Sequence, residues 1–240
     1  MGVKMWNGED TGVCCVEIPA DVAEPTVLQL MSALSAAKQQ KIRRLMRRED
    51  ALNVLMADIL SRLCICRTLG IRNREIEFGQ NAYGKPHLMG QNRLHFNRSH
   101  SGSWAAVAVS TESVGIDVER ISKADLGVAE RFFAPQEYRQ LLQVEGGERQ
   151  RFFYDLWTLK ESYIKAAGQG LSLPLSSFSI DLRSEQITLE TEHEWKPCYF
   201  RQYPIDPAYR LSLCSPLNRL PDDVEMIGLA DLCEEFSQYL

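Results

Sequence analysis

Asp117 and Glu119 lie in Val114-Gly115-Ile116-Asp117-Val118-Glu119, where apolar residues alternate with glycine and acids, the period-two pattern of a β-strand. On such a strand the two carboxylates share a face, with Cα atoms roughly 6.6 Å apart, and Gly115 leaves space beside them. Carboxylates about 5 Å apart would repel by about 3 kcal/mol at an effective dielectric near 20, and a bound cation turns that cost into attraction. The competing reading is the solvated outer face of an edge strand. A second segment bears on the choice. In Trp157-Thr158-Leu159-Lys160-Glu161-Ser162-Tyr163-Ile164-Lys165 the residues Trp157, Glu161 and Lys165 recur four apart and stack along one helix face. They read either as an apolar anchor followed by a Glu–Lys pair worth about 0.3–0.5 kcal/mol, or as a third carboxylate facing the strand acids with an ammonium one turn on. Three acids with phosphate oxygens and water would suit octahedral Mg²⁺, and Lys165 would then neutralise charge on a phosphate beside it.

His100 is flanked by small hydroxyl residues in Asn97-Arg98-Ser99-His100-Ser101-Gly102. As a loop, this stretch would expose backbone N–H groups to a phosphate; His100 reads equally as a structural histidine. A Ser-His-Asp hydrolase is disfavoured, because no G-x-S-x-G elbow is present and adjacent Ser99 and His100 would rarely point at each other. His87, His95 and His193 lack metal-ligand spacing. Residues 38–48 carry Lys38, Lys41, Arg43, Arg44, Arg47 and Arg48 without an acid, on a chain whose net charge is −5. A general nucleic-acid binder would be basic overall; a compact basic patch on an acidic protein fits a small anionic ligand better. Lys38 and Lys41, three apart on a helix, can point the same way, or simply form a solvated face.

The elements that must position these groups follow from periodicity and punctuation. A strand is expected over Val13–Ile18 and a helix over Pro25–Leu34. The basic segment then runs into a longer helix in which Leu45, Leu52, Leu55, Met56, Ile59, Leu60 and Leu63 recur at helical spacing, ending at Gly70. Short strands are expected at Ile76–Phe78 and Leu94–Asn97, with the turn Asn81-Ala82-Tyr83-Gly84-Lys85-Pro86 between them. Trp104–Ser110 and Val114–Glu119, joined by a short turn, read as a hairpin. Helices are expected over Leu126–Phe133, Pro135–Val144 and Gln150–Ala167, then strands at Phe178–Leu182, Gln186–Glu190, Cys198–Tyr203 and Tyr209–Cys214. The last twenty residues, acidic, are expected to be peripheral. This alternation points to an α+β fold with antiparallel sheets.

A chain of 240 residues makes one large or two small domains, and 45% hydrophobic with 25% charged residues is the balance of a soluble globular protein with a proper core. No apolar run reaches membrane-spanning length, and Glu9 and Asp10 interrupt any signal-like start. Seven cysteines with no C-x-x-C pair argue against zinc or a disulfide framework and for a reducing, cytoplasmic compartment.

Taken together, Gly115-Ile116-Asp117-Val118-Glu119 and Trp157-Thr158-Leu159-Lys160-Glu161-Ser162 with Lys165 resemble the signature pair of the 4′-phosphopantetheinyl transferases, in the larger surfactin-synthetase-activating (Sfp-type) class. Further segments resemble that family in order: Lys38/Lys41, Arg48-Glu49-Asp50-Ala51, Tyr83-Gly84-Lys85-Pro86, Asn97 to Gly102, Arg131-Phe132-Phe133 and Gly170-Leu171-Ser172-Leu173-Pro174-Leu175.

The resemblance implies transfer of the phosphopantetheine arm of coenzyme A to a serine of an acyl or peptidyl carrier protein, with release of adenosine 3′,5′-bisphosphate. It implies two similar α/β halves with pseudo-twofold symmetry, 1–112 binding the 3′-phosphate and adenine and 113–240 holding the metal site and recognising the carrier. Coenzyme A would lie between them. Asp117, Glu119 and Glu161 would hold Mg²⁺, or Mn²⁺, against the pyrophosphate, which Lys165 and His100 would contact. Lys38, Lys41, Ser99 and His100 would surround the 3′-phosphate, and Tyr83, Gly84, Lys85 and Pro86 would line the adenine pocket largely through backbone. Glu161 or a metal-bound water would be the base for the serine, and Lys165 and His100 would assist. Carrier recognition would involve residues 122–126 and the helix through Phe132 and Phe133. Two positions depart from the family pattern: Val54 stands where relatives often carry a hydroxyl near the 3′-phosphate, and Arg98 where an apolar residue is common, so Arg98 is available to compensate. A cytoplasmic monomer with no nucleic-acid or membrane partner is expected. The competing readings are a nucleic-acid-binding module resting on the basic segment, and a metal-dependent phosphodiesterase that uses the same acids without a carrier.

Overall fold

The computed structural model describes residues 10–91, 93–183, 186–193, 195 and 198–240; Glu9, named above in the signal-peptide argument, falls outside them. The first half runs β1 (Thr11–Glu17), α1 (Glu24–Ser32), α2 (Ala36–Arg43), α3 (Arg48–Leu69), a small hairpin of β2 (Phe78–Gln80) and β3 (Pro86–Leu88), then β4 (His95–Ser101) and β5 (Trp104–Ser110). The second half runs β6 (Gly115–Arg120), α4 (Leu126–Phe132), α5 (Pro135–Gln143), α6 (Gly146–Ala167), the hairpin β7 (Phe178–Asp181) and β8 (Thr188–Thr191), then β9 (Tyr199–Tyr203) and β10 (Tyr209–Ser215). One order of elements (strand, three helices, small hairpin, two strands) therefore occurs twice, as two similar halves require. The chain closes with β11 (Glu225–Ile227) and α7 (Leu229–Ser237).

The first sheet has the order β11-β1-β5-β4 and the second β6-β10-β9. Within each half the last strand is central, antiparallel to both neighbours. The two sheets stack face to face: Val13, Cys15, Ala106 and Ala108 of one meet Val114, Ile116, Val118, Leu211 and Leu213 of the other. Alternation sends the remaining strand residues outward. Cys14, Val16, Phe96 and Val107 pack under α3, and α6 lies across β6 and β10. The result is a helix–sheet–sheet–helix stack. The two flanking helices are each 22 residues long and each ends at a left-handed glycine, Gly70 at φ 67° and Gly168 at φ 74°. Full burial of Leu55, Ile59, Leu60 and Leu63 on α3 contributes about 1.5–3 kcal/mol per side chain relative to exposure.

The α+β expectation and most elements hold to within a few residues, and four local expectations do not. Trp104–Ser110 and Val114–Glu119 are not a hairpin: β5 is buried along its whole length and both its edges are occupied, by β1 and β4. The next strand therefore crosses to the second sheet and pairs with β10. The basic segment does not continue into the long helix, since α2 ends at Arg43 and α3 starts anew at Arg48. Ser99-His100-Ser101 is strand, not loop; its serines are short donors bridging β4 to β6 rather than turn formers. The last residues are integral, not peripheral. Strand β11 pairs parallel with β1, Leu232 and Phe236 are buried in the first core, and Arg67 of α3 bonds both Glu225 and Glu235.

Gly115 marks the tightest contact of the fold. A Cβ at this position would lie 2.0 Å from the carbonyl oxygen of Ser162 and 2.4 Å from the amide nitrogen of Ala166. Both are helix backbone, so neither can rotate away, and only glycine lets α6 sit this close to β6. Gly115→Ala is expected to cost at least about 2 kcal/mol, in the upper part of the range for overpacking, measured by denaturant unfolding. An unchanged midpoint would show that the helix is not held at this distance.

Candidate active site

The site is built where α6 crosses β6 beside the edge of β4. Strands β4 and β6 are bridged by side chains: Ile116 N–H donates to Asn97 Oδ1 at 2.9 Å, Ser99 Oγ to Asp117 Oδ1 at 2.8 Å, and Ser101 Oγ to Glu119 Oε2 at 2.7 Å. From α6, Lys165 Nζ donates to Asp117 Oδ1 at 2.5 Å, Ser99 Oγ at 3.1 Å and Ile116 O at 3.3 Å. Lys165 thus pairs with the strand acid and not with Glu161 four residues before it, which replaces the expected local Glu–Lys pair by a tertiary one. Its reach across to β6 follows from the approach that Gly115 permits.

Asp117 is 2% exposed, and its Oδ2 is buried with no hydrogen-bond partner. Burial pushes its carboxyl above the ordinary value, against the pull of Lys165 and Ser99. Glu119 is pushed up to about 7, first by burial and then by the charge of Asp117, with a smaller push from Glu161. Glu161 is likewise pushed up to about 7, by burial and then by Asp117. Burial and mutual charge thus raise Glu119 and Glu161 together, with Asp117 acting on both. As they stand, no three His, Cys, Asp or Glu side chains among the described residues form a metal-binding group: Asp117 Oδ1 is turned to Lys165 and Ser99, and Glu119 to Ser101. An orphaned buried oxygen amid mutually repelling carboxylates is nevertheless the environment a hard divalent cation relieves.

Beside the acids opens a cavity of about 880 Å³ whose wall includes Lys38, Lys41, Tyr83, Gly84, Lys85 and Pro86, with Lys165 among the remaining lining residues. Lys165 is shared between the cavity and the acids. Lys38 is not on a solvated face: its Nζ lies 2.8 Å from Asp58 Oδ2. Lys85 spans the two halves, its Nζ donating to Val114 O at 3.0 Å and Ala166 O at 3.3 Å, and burial lowers its pKa to about 8. Ser99 is buried beneath Asp117 and Lys165 and is not among the cavity-lining residues. His100 is exposed on β4 and also does not line the cavity. The surrounding protein, and after it Lys165 and Arg98, push its pKa down. Val54, half-buried on α3, packs against the first core. Of the two phenylalanines expected to meet a partner, Phe133 is 2% exposed in the second core, while Phe132 is half-buried, edge-on to Trp157.

Three groups escaped sequence reasoning. Asp58 and Arg62, both buried on α3, join Lys38 and Arg98 in one charged cluster at the cavity wall. The available signal was an acid interrupting the apolar stripe between Leu55 and Ile59. Lys160, next to Glu161, is fully buried against Glu137 of α5 at 2.8 Å. Lys160 also donates to Phe178 O at 2.7 Å, fixing the rotation of α6. Nothing in its spacing distinguished it from a surface lysine.

Residues 113–214 match the 4′-phosphopantetheinyl transferase superfamily and residues 22–112 its N-terminal model. The chain belongs to this family. It is 40% identical over 201 residues to the 4′-phosphopantetheinyl transferase ffp of Bacillus subtilis, covering 83% of this chain and 90% of that one. Identity to the transferase Sfp of Bacillus subtilis strain 168 is 38% over 205 residues, covering 85% and 92%, and to gsp of Aneurinibacillus migulanus 34% over 222 residues, covering 92% and 93%. A holo-acyl-carrier-protein synthase of Thermotoga maritima superposes with a TM-score of 0.38 at 22% identity, over 46% of this chain and 66% of that one, too loosely to carry an argument. The protein is an enzyme that transfers phosphopantetheine from coenzyme A to a carrier protein. No described helix is long and apolar enough to cross a membrane.

The raised carboxyls make stability pH-dependent when no metal is present. Glu119 and Glu161 titrate near 4.5 when unfolded and near 7 when folded, so the folded state holds protons that the unfolded state has lost. Their contribution is fully present below about 4.5 and is lost as pH rises through about 7. In EDTA, the melting temperature should fall over that window, and Glu119→Gln with Glu161→Gln should flatten the fall. An identical slope in the double variant would show that these carboxyls are not perturbed.

Proposed function

We propose that Asp117, Glu119 and Glu161 hold a Mg²⁺ or Mn²⁺ ion, and that the cavity beside them holds coenzyme A. The observation that carries this reading is Lys165, which lines the cavity and at the same time bonds Asp117, so that a phosphate in the cavity and a cation on the acids would be neighbours. The orphaned Asp117 Oδ2 and the raised carboxyls of Glu119 and Glu161 support the choice of a hard, oxygen-seeking cation. When bound, that ion supplies charge neutralisation at the pyrophosphate and orientation of its oxygens.

The remaining roles belong to the chain. Lys38 and Lys41 take the 3′-phosphate from the cavity wall, while Ser99 acts on the other face of β4 through its bond to Asp117. Tyr83, Gly84, Lys85 and Pro86 line the adenine side; Lys85, committed to two carbonyls, acts there by holding the halves together. Lys165, which lines the cavity, faces the pyrophosphate. The carrier serine oxygen attacks the phosphorus bearing the pantetheine arm, a new O–P bond forms, and the P–O bond to the nucleotide breaks, so that adenosine 3′,5′-bisphosphate leaves. Glu161, beside the attacking oxygen, receives the serine proton as general base. Phe132, braced by Trp157, and residues 122–126 meet the carrier. Residues 1–112 serve the nucleotide and 113–240 the metal and carrier. All seven cysteines are free, in keeping with a reducing, cytoplasmic setting.

Incubating an apo carrier protein with the enzyme, coenzyme A and Mg²⁺ should add one phosphopantetheine to its serine, seen by intact-mass spectrometry, with adenosine 3′,5′-bisphosphate in the small-molecule fraction. Excess EDTA should stop the reaction and added Mg²⁺ restore it. Asp117→Ala should lower turnover by at least about 10²–10³-fold, the scale of losing one preorganised electrostatic group, with an intact circular dichroism spectrum. Turnover that persists in EDTA, or in Asp117→Ala, would remove the metal from the mechanism.

A further inference from the structure

We infer that Arg98 is a specificity-determining residue of this enzyme: its guanidinium binds the 3′-phosphate of coenzyme A from the cavity wall, held in place by the buried carboxylate of Asp58. The inference rests on the reading that coenzyme A occupies this cavity.

Alternation along β4 sends Phe96 and Arg98 to the α3 side, opposite Asn97, Ser99 and Ser101. Arg98 therefore points away from the acids, into the wall that carries Lys38, Lys41 and Arg62. At its back, Asp58 is 2% exposed and accepts three cations: Arg62 Nε on Oδ1 at 2.8 Å, and Lys38 Nζ at 2.8 Å and Arg98 Nη1 at 2.9 Å on Oδ2. Burial pushes the Asp58 carboxyl up, but Arg98, Lys38 and Arg62 together bring it below the ordinary value, so it stays ionised. One buried negative charge is thus met by three cations, with Lys41 also in the wall. The surplus is positive and faces the cavity, which asks for an anion of more than one charge.

The members of this cluster are not equally free to supply that interaction. Arg62 is committed: its Nη1 donates to Asn73 Oδ1 at 2.8 Å, and its guanidinium lies 5.0 Å from the centre of the Phe78 ring. Arg98 donates a single hydrogen bond among the described residues, through Nη1. Its Nη2 and Nε edge remains to offer two parallel N–H groups, the fork that matches two oxygens of a phosphomonoester. Lys38 offers a point charge but no such fork. A ligand with a hydroxyl in place of the phosphate gives the fork nothing to hold and leaves the surplus charge uncompensated, so the discrimination is chemical rather than steric.

Replacing Arg98 leaves Asp58 with Lys38 and Arg62, so no buried charge is stranded and the fold should survive; a thermal melt checks this. The full chain is titrated calorimetrically, at fixed Mg²⁺, with coenzyme A and with 3′-dephospho-coenzyme A. The wild type should prefer coenzyme A. Arg98→Met should cut that preference roughly ten- to a hundred-fold, the value of a charge-assisted hydrogen bond, by weakening coenzyme A and leaving the dephospho ligand nearly untouched. Arg98→Lys should recover part of the preference. Equal weakening of both ligands, or an unchanged ratio in Arg98→Met against a discriminating wild type, would overturn the role of Arg98 and leave the cavity assignment standing. A wild type that binds neither ligand, or both alike, would overturn the assignment and the inference together.

Discussion

A carboxylate 2% exposed to water, with two more acids near enough to raise one another's pKa, is the constraint on which the rest of this molecule is arranged. In a low-dielectric interior such charges repel strongly and their desolvation is costly. The fold keeps them by surrounding Asp117 with donors on one oxygen only, Lys165 from α6 and Ser99 from β4, and by leaving the other oxygen bare. On the proposed reading, this arrangement would serve as half of a coordination shell. It stores an electrostatic tension that a cation and the phosphates it brings can release, which is how preorganised sites favour charge at the moment of reaction.

Holding the site requires that α6 neither slides nor rotates. Gly115 sets its distance from β6. Lys160 sets its rotation through a fully buried contact with Glu137, whose carboxylate also accepts the backbone N–H groups of Ala134 and Ile180. A buried ion pair this completely hydrogen-bonded contributes little net stability over an apolar replacement, yet removing one member costs about 3–5 kcal/mol. Its use here is orientation: α5, α6 and β7 are tied at the residue adjoining Glu161. The Asp58 cluster does comparable work on α3, anchoring Lys38, Arg62 and Arg98 to one point of the opposite wall.

The two halves repeat one architecture but not one chemistry. Strands β5 and β10 are both seven residues long. Asp117 stands opposite Ser212, the fourth residue of β10, as Cys14 stands opposite Val107, the fourth of β5. By the same count Glu119 corresponds to Val16, and on the paired long helices Glu161 corresponds to Leu63 and Lys165 to Arg67. In the first half these positions are filled by Cys14, Val16 and Leu63, all within the core under α3, and by an arginine clamped to the C-terminal elements. One half thus fills the location with core side chains and the other with the acids and lysine of the proposed site, and the cation-walled cavity opens beside those acids, with Lys165 between.

How much of this was legible in the chain depends on whether the signal was local. Alternation in 114–119, four-residue spacing in 157–165, glycine stops at Gly70 and Gly168, and the order of family motifs are short-range features, and they determined most elements, the α+β class and which acids, lysines and turn are candidates for the site. They could not show that β6 leaves β5 for another sheet, because that depends on both edges of β5 being taken by β1 and β4. Nor could they reveal that the serines of β4 are strand bridges, or that the last sixteen residues complete the first sheet and core. Above all, whether Lys165 answers Glu161 or Asp117, and whether Lys38 faces water or Asp58, is a choice between a neighbour in sequence and one brought in by folding. The folded neighbour wins in both cases because each acid is buried, and an ion pair in a low-dielectric interior outweighs one on a solvated helix face. That preference exists only once the layers have closed.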